Sequence, residues 1–188
     1  MSKPYVTCFN SMIKKLSSKV VYKNKWMKVR EDGVEFENGV KGVYGVVEKP
    51  DFSLIVPFDE GKLYMVRQYR YPVQNSYWEF PQGGNEENPN IDPKRLALDE
   101  LEEETGLIAN KIKHLGFLHV AYGYSSQGCN IFLANDFSKG QQKLEDGEQG
   151  LEIERFSVEE FEEMIKSGEI RGASTVSAYG LLKVQQLL

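Results

Sequence analysis

One stretch limits the folds open to this chain more than any other. It runs from Glu79 to Leu107 and reads E-F-P-Q-G-G-N-E-E-N-P-N-I-D-P-K-R-L-A-L-D-E-L-E-E-E-T-G-L. Its second half predicts a helix. Asp92 suits an N-cap, since its carboxylate can accept from a first-turn amide that has no helical partner. Pro93 suits the first helical position and Gly106 the stop. Glu100, Glu103 and Glu104 stand at i, i+3 and i+4, so at about 100° per residue they span roughly 100° of arc. Ala97, Leu98, Leu101 and Thr105 take the next arc. Two readings stay open. A solvated acidic helix would turn its carboxylates away from the apolar side, as Asp99 and Glu102 do. Glu100 and Glu104 instead flank that side. Carboxylates clustered at a core edge repel one another and need a cation, and hard divalent ions such as magnesium take oxygen ligands of this kind.

The 188 residues suffice for one large domain or a domain with an annex, and a 40% hydrophobic, 27% charged composition can fill a core. A net charge of −5 argues against a general nucleic-acid or membrane-surface binder. It leaves room for a phosphorylated small molecule met by local Arg, Lys and metal. Cys8 and Cys129 make no disulfide framework, which fits a reducing cytoplasm, and each is expected as a small buried hydrophobe. His114 and His119 stand apart, so a His-based metal site is not expected. No apolar run reaches membrane-span length, and the N-terminus lacks the pattern of a signal peptide.

Residues 1–17 read as an arm or short helix, and residues 18–49 as antiparallel strands with a turn at Asn38-Gly39. From residue 50 onward the chain alternates strands and helices. Asp59-Glu60-Gly61 marks a hairpin between S-L-I-V-P-F and K-L-Y-M-V-R-Q-Y. H-L-G-F-L-H-V-A and N-I-F-L-A read as strands around a polar loop, Tyr122 to Gly128, and D-F-S-K-G-Q-Q-K-L-E-D-G-E-Q-G reads as a loop. After the strand G-L-E-I-E-R-F, Ser157 and Glu160 form a capping box for a helix to about Ser167. A last helix is expected from about Ser174 to Leu188. The sum is an α+β chain, a mixed sheet with helices packed on it.

Residues 100–107, E-L-E-E-E-T-G-L, resemble the end of the Nudix hydrolase signature, G-x5-E-x7-R-E-U-x-E-E-x-G-U with U apolar. E-F-P-Q-G is similar to the E-L-P-A-G of the ADP-ribose pyrophosphatase branch. Q-Y-R-Y-P-V upstream and G-E-I-R-G-A-S-T-V-S-A near the C-terminus also resemble that branch, so the likeness runs from about Trp26 to the end. It implies an α/β/α Nudix-type sandwich over residues 50–188, and a dimerising N-terminal sheet over 18–49. Two signature positions depart. Asp99 replaces the Arg before the first helical Glu, and strict spacing puts Ile91 at the earlier Glu and Asn85 at the Gly. If Gly83 is the signature glycine, the loop carries two extra residues, with Glu86 or Glu87 standing in for the acid and Arg95, one turn before Asp99, partly replacing the Arg.

The resemblance implies magnesium- or manganese-dependent hydrolysis of a nucleoside diphosphate sugar. Glu100 and Glu104 would ligate metal with Glu103 assisting, and the Gln82 backbone carbonyl would join them because the Gly83-Gly84 turn admits close approach. Arg70 would bind substrate phosphates, with an ordinary surface ion pair as the competing reading. Glu79 would sit at the site edge, with a strand-end salt bridge as its alternative. Tyr22, Trp26, Tyr69, Tyr71 and Trp78 are candidates to stack on a base or sugar, although strand aromatics more often fill cores. The branch's P-G-Y-S-D-E is Tyr122-Gly123-Tyr124-Ser125-Ser126-Gln127 here, so the acid is an amide that takes no proton. The resemblance also implies a Glu from the loop before the next strand, where Glu145, Asp146 and Glu148 are available; Glu148 is the expected general base, with solvated loop acids as the competing reading for all three. Tyr122 for Pro also loosens the link to ADP-ribose itself and leaves other nucleotide sugars and dinucleoside polyphosphates open. The competing class is a Nudix-fold module that binds a nucleotide sugar without turning it over.

Overall fold

The computed structural model describes residues 12–144 and 148–188. Residues 1–11 of the expected arm, with Cys8, and the loop acids Glu145 and Asp146 lie outside the described residues. Two compact units emerge. One takes the chain up to Lys49 together with Ala121–Ser126, and the other takes Pro50–Val120 and Gln127–Leu188.

The first unit is an antiparallel sheet of β1 (Ile13–Lys23), β2 (Lys28–Phe36) and β3 (Lys41–Glu48), in the order β1-β2-β3. The turn after β2 closes as its sequence predicts, with the Val40 amide donating to Asn38 Oδ1 at 3.1 Å. Strand alternation buries Asp32 and Val34 of β2. Arg30, two residues before Asp32 on the same face, pairs with both Asp32 and Glu48, and Lys28 pairs with Glu48 too. The Tyr122-to-Ser126 loop belongs to this unit because Val47 of β3 bonds to it on both sides, donating to Tyr124 O at 2.8 Å and accepting from Ser126 N at 3.2 Å.

The second unit is a seven-stranded mixed sheet. Its strands are β4 (Phe52–Asp59), β5 (Lys62–Arg70), β6 (Asn75–Glu79), β7 (Gln82–Gly84), β8 (Leu107–His119), β9 (Gly128–Lys139) and β10 (Glu152–Ser157). The main order is β10-β5-β4-β9-β8, with β6 beside β5 and β7 beside β4. Only β4 and β9 run parallel among the named pairs. Its helices are α1 (Pro93–Thr105), α2 (Val158–Ser167) and α3 (Ala173–Val184).

Period-two alternation splits the strands between two cores. Leu54 and Val56 of β4, with Cys129, Ile131 and Leu133 of β9, face Phe161 and Met164 of α2 and Ala178, Tyr179 and Leu182 of α3. Ile55 of β4 and Phe132 and Ala134 of β9 face Ala97 and Leu101 of α1. Helices on both faces of a mixed sheet make the α/β/α sandwich expected from the sequence. The capping box of α2 forms as read, with Glu160 N donating to Ser157 Oγ at 3.2 Å and Ser157 N to Glu160 Oε2 at 2.7 Å.

Boundaries differ where polar residues are strand-paired. The first strand begins at Ile13, ahead of Ser18. β8 starts at Leu107, directly after α1, and Asp136–Lys139 extends β9 where a loop was expected, because Leu107↔Lys139 and Ile108↔Ser138 are in register. These ends lie largely in solvent and carry little hydrophobic alternation to announce them. α3 stops at Val184, with Gln185 as its cap, and Leu187 and Leu188 fold back against the core beside α3.

Candidate active site

Helix α1 is built as its sequence predicts. Asp92 Oδ1 accepts from Lys94 N at 3.2 Å, and Gly106 takes the left-handed conformation, φ 68°, while its amide closes the last turn on Glu102 O. The Ser53 hydroxyl of β4 donates to Pro93 O at 2.8 Å and fixes the start of the helix against the sheet. The inward stripe of Leu96, Ala97 and Leu101 is buried. Full burial of Leu101 contributes about 1.5–3 kcal/mol.

That stripe carries two carboxylates inward with it. Glu100 is 9% exposed and Glu104 2% exposed, while Glu103 is half-buried. Gly83 makes room for Glu100: a methyl group added at Gly83 would land on the Glu100 carboxylate. Any larger residue there would push the acid away. Glu104 Oε2 is buried without a hydrogen-bond partner. Burial drives the Glu104 pKa well above the ordinary carboxylate value, and the charges of Glu100, Glu148 and Glu79 push it further, with Arg70 opposing. The fold therefore brings Glu100, Glu104, Glu148, Glu79 and Arg70 into one electrostatic neighbourhood.

The segment leading to Glu148 is pinned to the end of α1. Gln142 Nε2 donates to Glu104 O at 2.8 Å, Lys143 N to Glu103 O at 2.9 Å, and Gly140 N to Gly106 O at 2.8 Å. These bonds satisfy carbonyls that the helix cannot pair internally.

On the other side of the neighbourhood, Arg70 at the end of β5 donates from Nη2 to Glu79 Oε1 at 2.5 Å. Gln82 Nε2 donates to Glu79 Oε2 at 2.9 Å, and the Ser174 hydroxyl of α3 donates to Gln82 Oε1 at 2.9 Å. Glu79 is buried, and burial raises its pKa against the pull of Arg70 and Gln82. The Arg70 side chain keeps 41% of its surface exposed.

Among the described residues, no three His, Cys, Asp or Glu side chains already converge as a metal cage. The donors nevertheless fit a hard divalent cation. Glu104 offers an orphaned buried oxygen, Glu100 lies against a glycine backbone, and all the side-chain donors are carboxylates. A cavity of about 430 Å³ opens elsewhere, past the end of α1, lined by Asp59, Tyr64, Thr105, Phe137 and Gln142 among others. None of Arg70, Glu79, Gly83, Glu100 or Glu104 lines it.

The irregular positions are also placed. Arg95 donates to Asp99 from Nε at 2.9 Å and pairs with it from Nη2 at 2.6 Å, a largely exposed i, i+4 pair. Glu86 and Glu87 are exposed in the loop after β7. Gln127 Nε2 donates to Pro50 O at 2.8 Å, so this amide has a structural bond where the family pattern has an acid. Trp78 packs edge-on against Phe156 beside the core, whereas Tyr22, Trp26, Tyr69 and Tyr71 are exposed. Sequence reasoning did not single out Ser174, Thr175 or Gln142. Thr175 is fully buried and accepts from Phe80 N at 3.3 Å. The one signal for Ser174 and Thr175 was the polar run S-T inside an otherwise apolar helix start, and Gln142 carried none.

Comparison with known proteins supplies the family. A model described as the nucleoside diphosphate sugar hydrolase N-terminal domain matches residues 13–47, and one described as the NUDIX domain matches residues 48–177. The chain is 28% identical over 177 residues to the ADP-ribose pyrophosphatase of Bacillus subtilis (strain 168), covering 93% of this chain and 95% of the relative. It is equally similar, over the same coverage, to a methanol dehydrogenase activator of Bacillus methanolicus. The ADP compounds hydrolase NudE of Escherichia coli (strain K12) is 27% identical, over 89% of this chain and 90% of that one. A crystal structure of an ADP compounds hydrolase superposes with a TM-score of 0.81 at 26% identity, covering 92% of this chain and 95% of the other.

Proposed function

The chain belongs to the Nudix family, and from that premise we propose that it hydrolyses a nucleoside diphosphate sugar of the ADP-ribose type. The products are a nucleoside monophosphate and a sugar phosphate. One observation carries the reading: Glu104 keeps an unpartnered buried carboxylate oxygen among Glu100, Glu148 and Glu79. A fold retains such a costly cluster where a cation and a phosphate are to be held.

Glu100 and Glu104, with Glu103 and the Gln82 backbone carbonyl, would hold magnesium, with manganese as a substitute. When bound, the cation supplies charge neutralisation for the pyrophosphate oxygens and lowers the pKa of water. The remaining steps belong to the chain. Arg70 binds substrate phosphate oxygens through the guanidinium edge that Glu79 does not occupy. Gly83 keeps the main chain close enough for the pyrophosphate to lie against it. Glu148 accepts a proton from the attacking water as its oxygen bonds to one phosphorus. The bond from that phosphorus to the bridging oxygen breaks, and the other phosphate leaves with the bridging oxygen and its electron pair.

We also propose that β1–β3 pair with a second copy to form a homodimer. Large apolar side chains stand exposed on this sheet, including Leu16, Val20, Val21, Tyr22 and Val43. A cytoplasmic setting suits the buried free thiol of Cys129. Recovery of the protein with intact disulfides from an oxidising compartment would contradict that placement. No helix among the described residues is long and apolar enough to cross a membrane.

The test is a panel of ADP-ribose, other nucleotide sugars and dinucleoside polyphosphates with magnesium or manganese, scored for nucleoside monophosphate release. Turnover of a nucleotide sugar is expected. Binding without turnover of any member would instead establish the binding-module reading, which the structural bond of Gln127 and the Asp99–Arg95 pair favour.

A further inference from the structure

The E-F-P-Q-G segment places a long amide where the family pattern it resembles has an alanine, and that amide has work in this fold. Glu79 has two carboxylate oxygens and two partners, Arg70 on Oε1 and Gln82 on Oε2. Gln82 is itself held from behind by Ser174 at the start of α3. The Ser174–Gln82–Glu79–Arg70 chain thus links the second residue of α3 to the β5–β6 pair. The amide orientation follows from chemistry: the carboxylate accepts only, so Nε2 must face Glu79, and Oε1 is left for the hydroxyl.

We infer that the Gln82 side-chain amide is a positioning residue, which holds the Glu79 carboxylate so that Arg70 is gripped by Nη2 alone and keeps its remaining edge for a substrate phosphate. A planar carboxylate with one free oxygen pairs readily with both arms of a guanidinium. Here Gln82 holds the second oxygen and orients the carboxylate so that only Oε1 meets the guanidinium. Without the amide, Glu79 turns its free oxygen to Arg70, the guanidinium edge is taken up, and the phosphate loses its partner. This assignment rests on the proposed role of Arg70 in substrate binding.

The experiment is a double-mutant cycle on Gln82→Ala and Arg70→Ala, with ADP-ribose as probe. Steady-state kinetics are run with magnesium, and binding is measured by titration calorimetry in EDTA. Gln82→Ala removes one charge-assisted hydrogen bond and is expected to raise KM and Kd by about tenfold, with kcat little changed. In the Arg70→Ala background the same substitution has no further effect, because the group it positions is gone. Ser174→Ala gives a smaller rise in the same direction. An unchanged KM and Kd in Gln82→Ala overturns the inference, as does a loss confined to kcat. A full effect of Gln82→Ala in the Arg70→Ala background overturns it too. Measurable Kd values for ADP-ribose with no turnover of it or of any other panel member by the wild type would sink the hydrolase reading while the Kd cycle still decides this one. Failure of the wild type to bind or turn over ADP-ribose or any other panel member overturns both.

Discussion

Glu104→Gln separates what this helix does for stability from what it does for chemistry. The substitution keeps the side chain's shape and replaces an acceptor-only oxygen with an amide donor. In the metal-free protein Glu104 is buried, one oxygen has no partner, and the charges of Glu100 and Glu148 oppose its own. Leaving such a group unsatisfied costs about 1–3 kcal/mol. The Gln amide removes the repulsion and can donate to a neighbouring carboxylate. For a chain of this size each kcal/mol moves Tm by about 2–4 °C, so Glu104→Gln is expected to melt about 2–12 °C higher in EDTA at about pH 8. The pH dependence follows from linkage. The folded pKa of Glu104 is raised above its unfolded value near 4.5, so its stabilising contribution is full below that value and lost as pH rises through the folded pKa. The metal-free wild type should therefore gain stability on going from about pH 8 to about pH 5, and the variant should gain less. Magnesium reverses the order. A cation at one hundred times its Kd adds about 2.7 kcal/mol to the wild type, and the variant loses most of that gain. Turnover falls by orders of magnitude. Thermal melts followed by circular dichroism, with and without magnesium at both pH values, read all of this. A variant that melts at or below the wild type in EDTA, or keeps the full magnesium shift, would show that the carboxylate is neither strained nor a ligand.

Two further expectations concern the base and the assembly. Glu148→Gln should lower kcat by roughly 10²–10⁴-fold and leave KM for the nucleotide sugar nearly unchanged; a wild-type kcat would return the base to another group. Sedimentation of the purified chain at micromolar concentration should give a dimer, and substituting Val20 and Tyr22 with Ser should shift it to monomer. A wild-type monomer at that concentration would count against the homodimer.

Much of this was legible because strong local signals and packing agree. Asp92, Pro93 and Gly106 bracket α1 in sequence and in space, since capping chemistry is local. The edge-of-core position of Glu100 and Glu104 was readable from helical periodicity, and both are buried. The two-residue turn Glu60-Gly61 likewise closes the β4–β5 hairpin, pairing Asp59 with Lys62. What stayed hidden depends on partners far along the chain. Ser174 lies 92 residues from the Gln82 side chain that it bonds, and Gln142 lies 38 residues from Glu104. No periodicity reports such contacts. The extension of β9 to Lys139 was missed because pairing to β8, and not hydrophobic alternation, makes that segment a strand.

Strand β1 has one more consequence, for how the protein behaves in a test tube. It stands at the outer end of the β1-β2-β3 order with all of its residues exposed, and it carries Leu16, Val20, Val21 and Tyr22. Wherever a second copy does not cover it, a long edge of that kind is a template for unwanted strand addition. Its sequence, I-K-K-L-S-S-K-V-V-Y-K, sets Lys14, Lys15, Lys19 and Lys23 between the apolar residues. Stacking like copies in register would bring these ammonium groups together at strand spacing, so the lysines act as gatekeepers against filament growth. Acetylating or neutralising them should turn a well-behaved preparation into one that clouds on standing, with no change at the carboxylate cluster on α1.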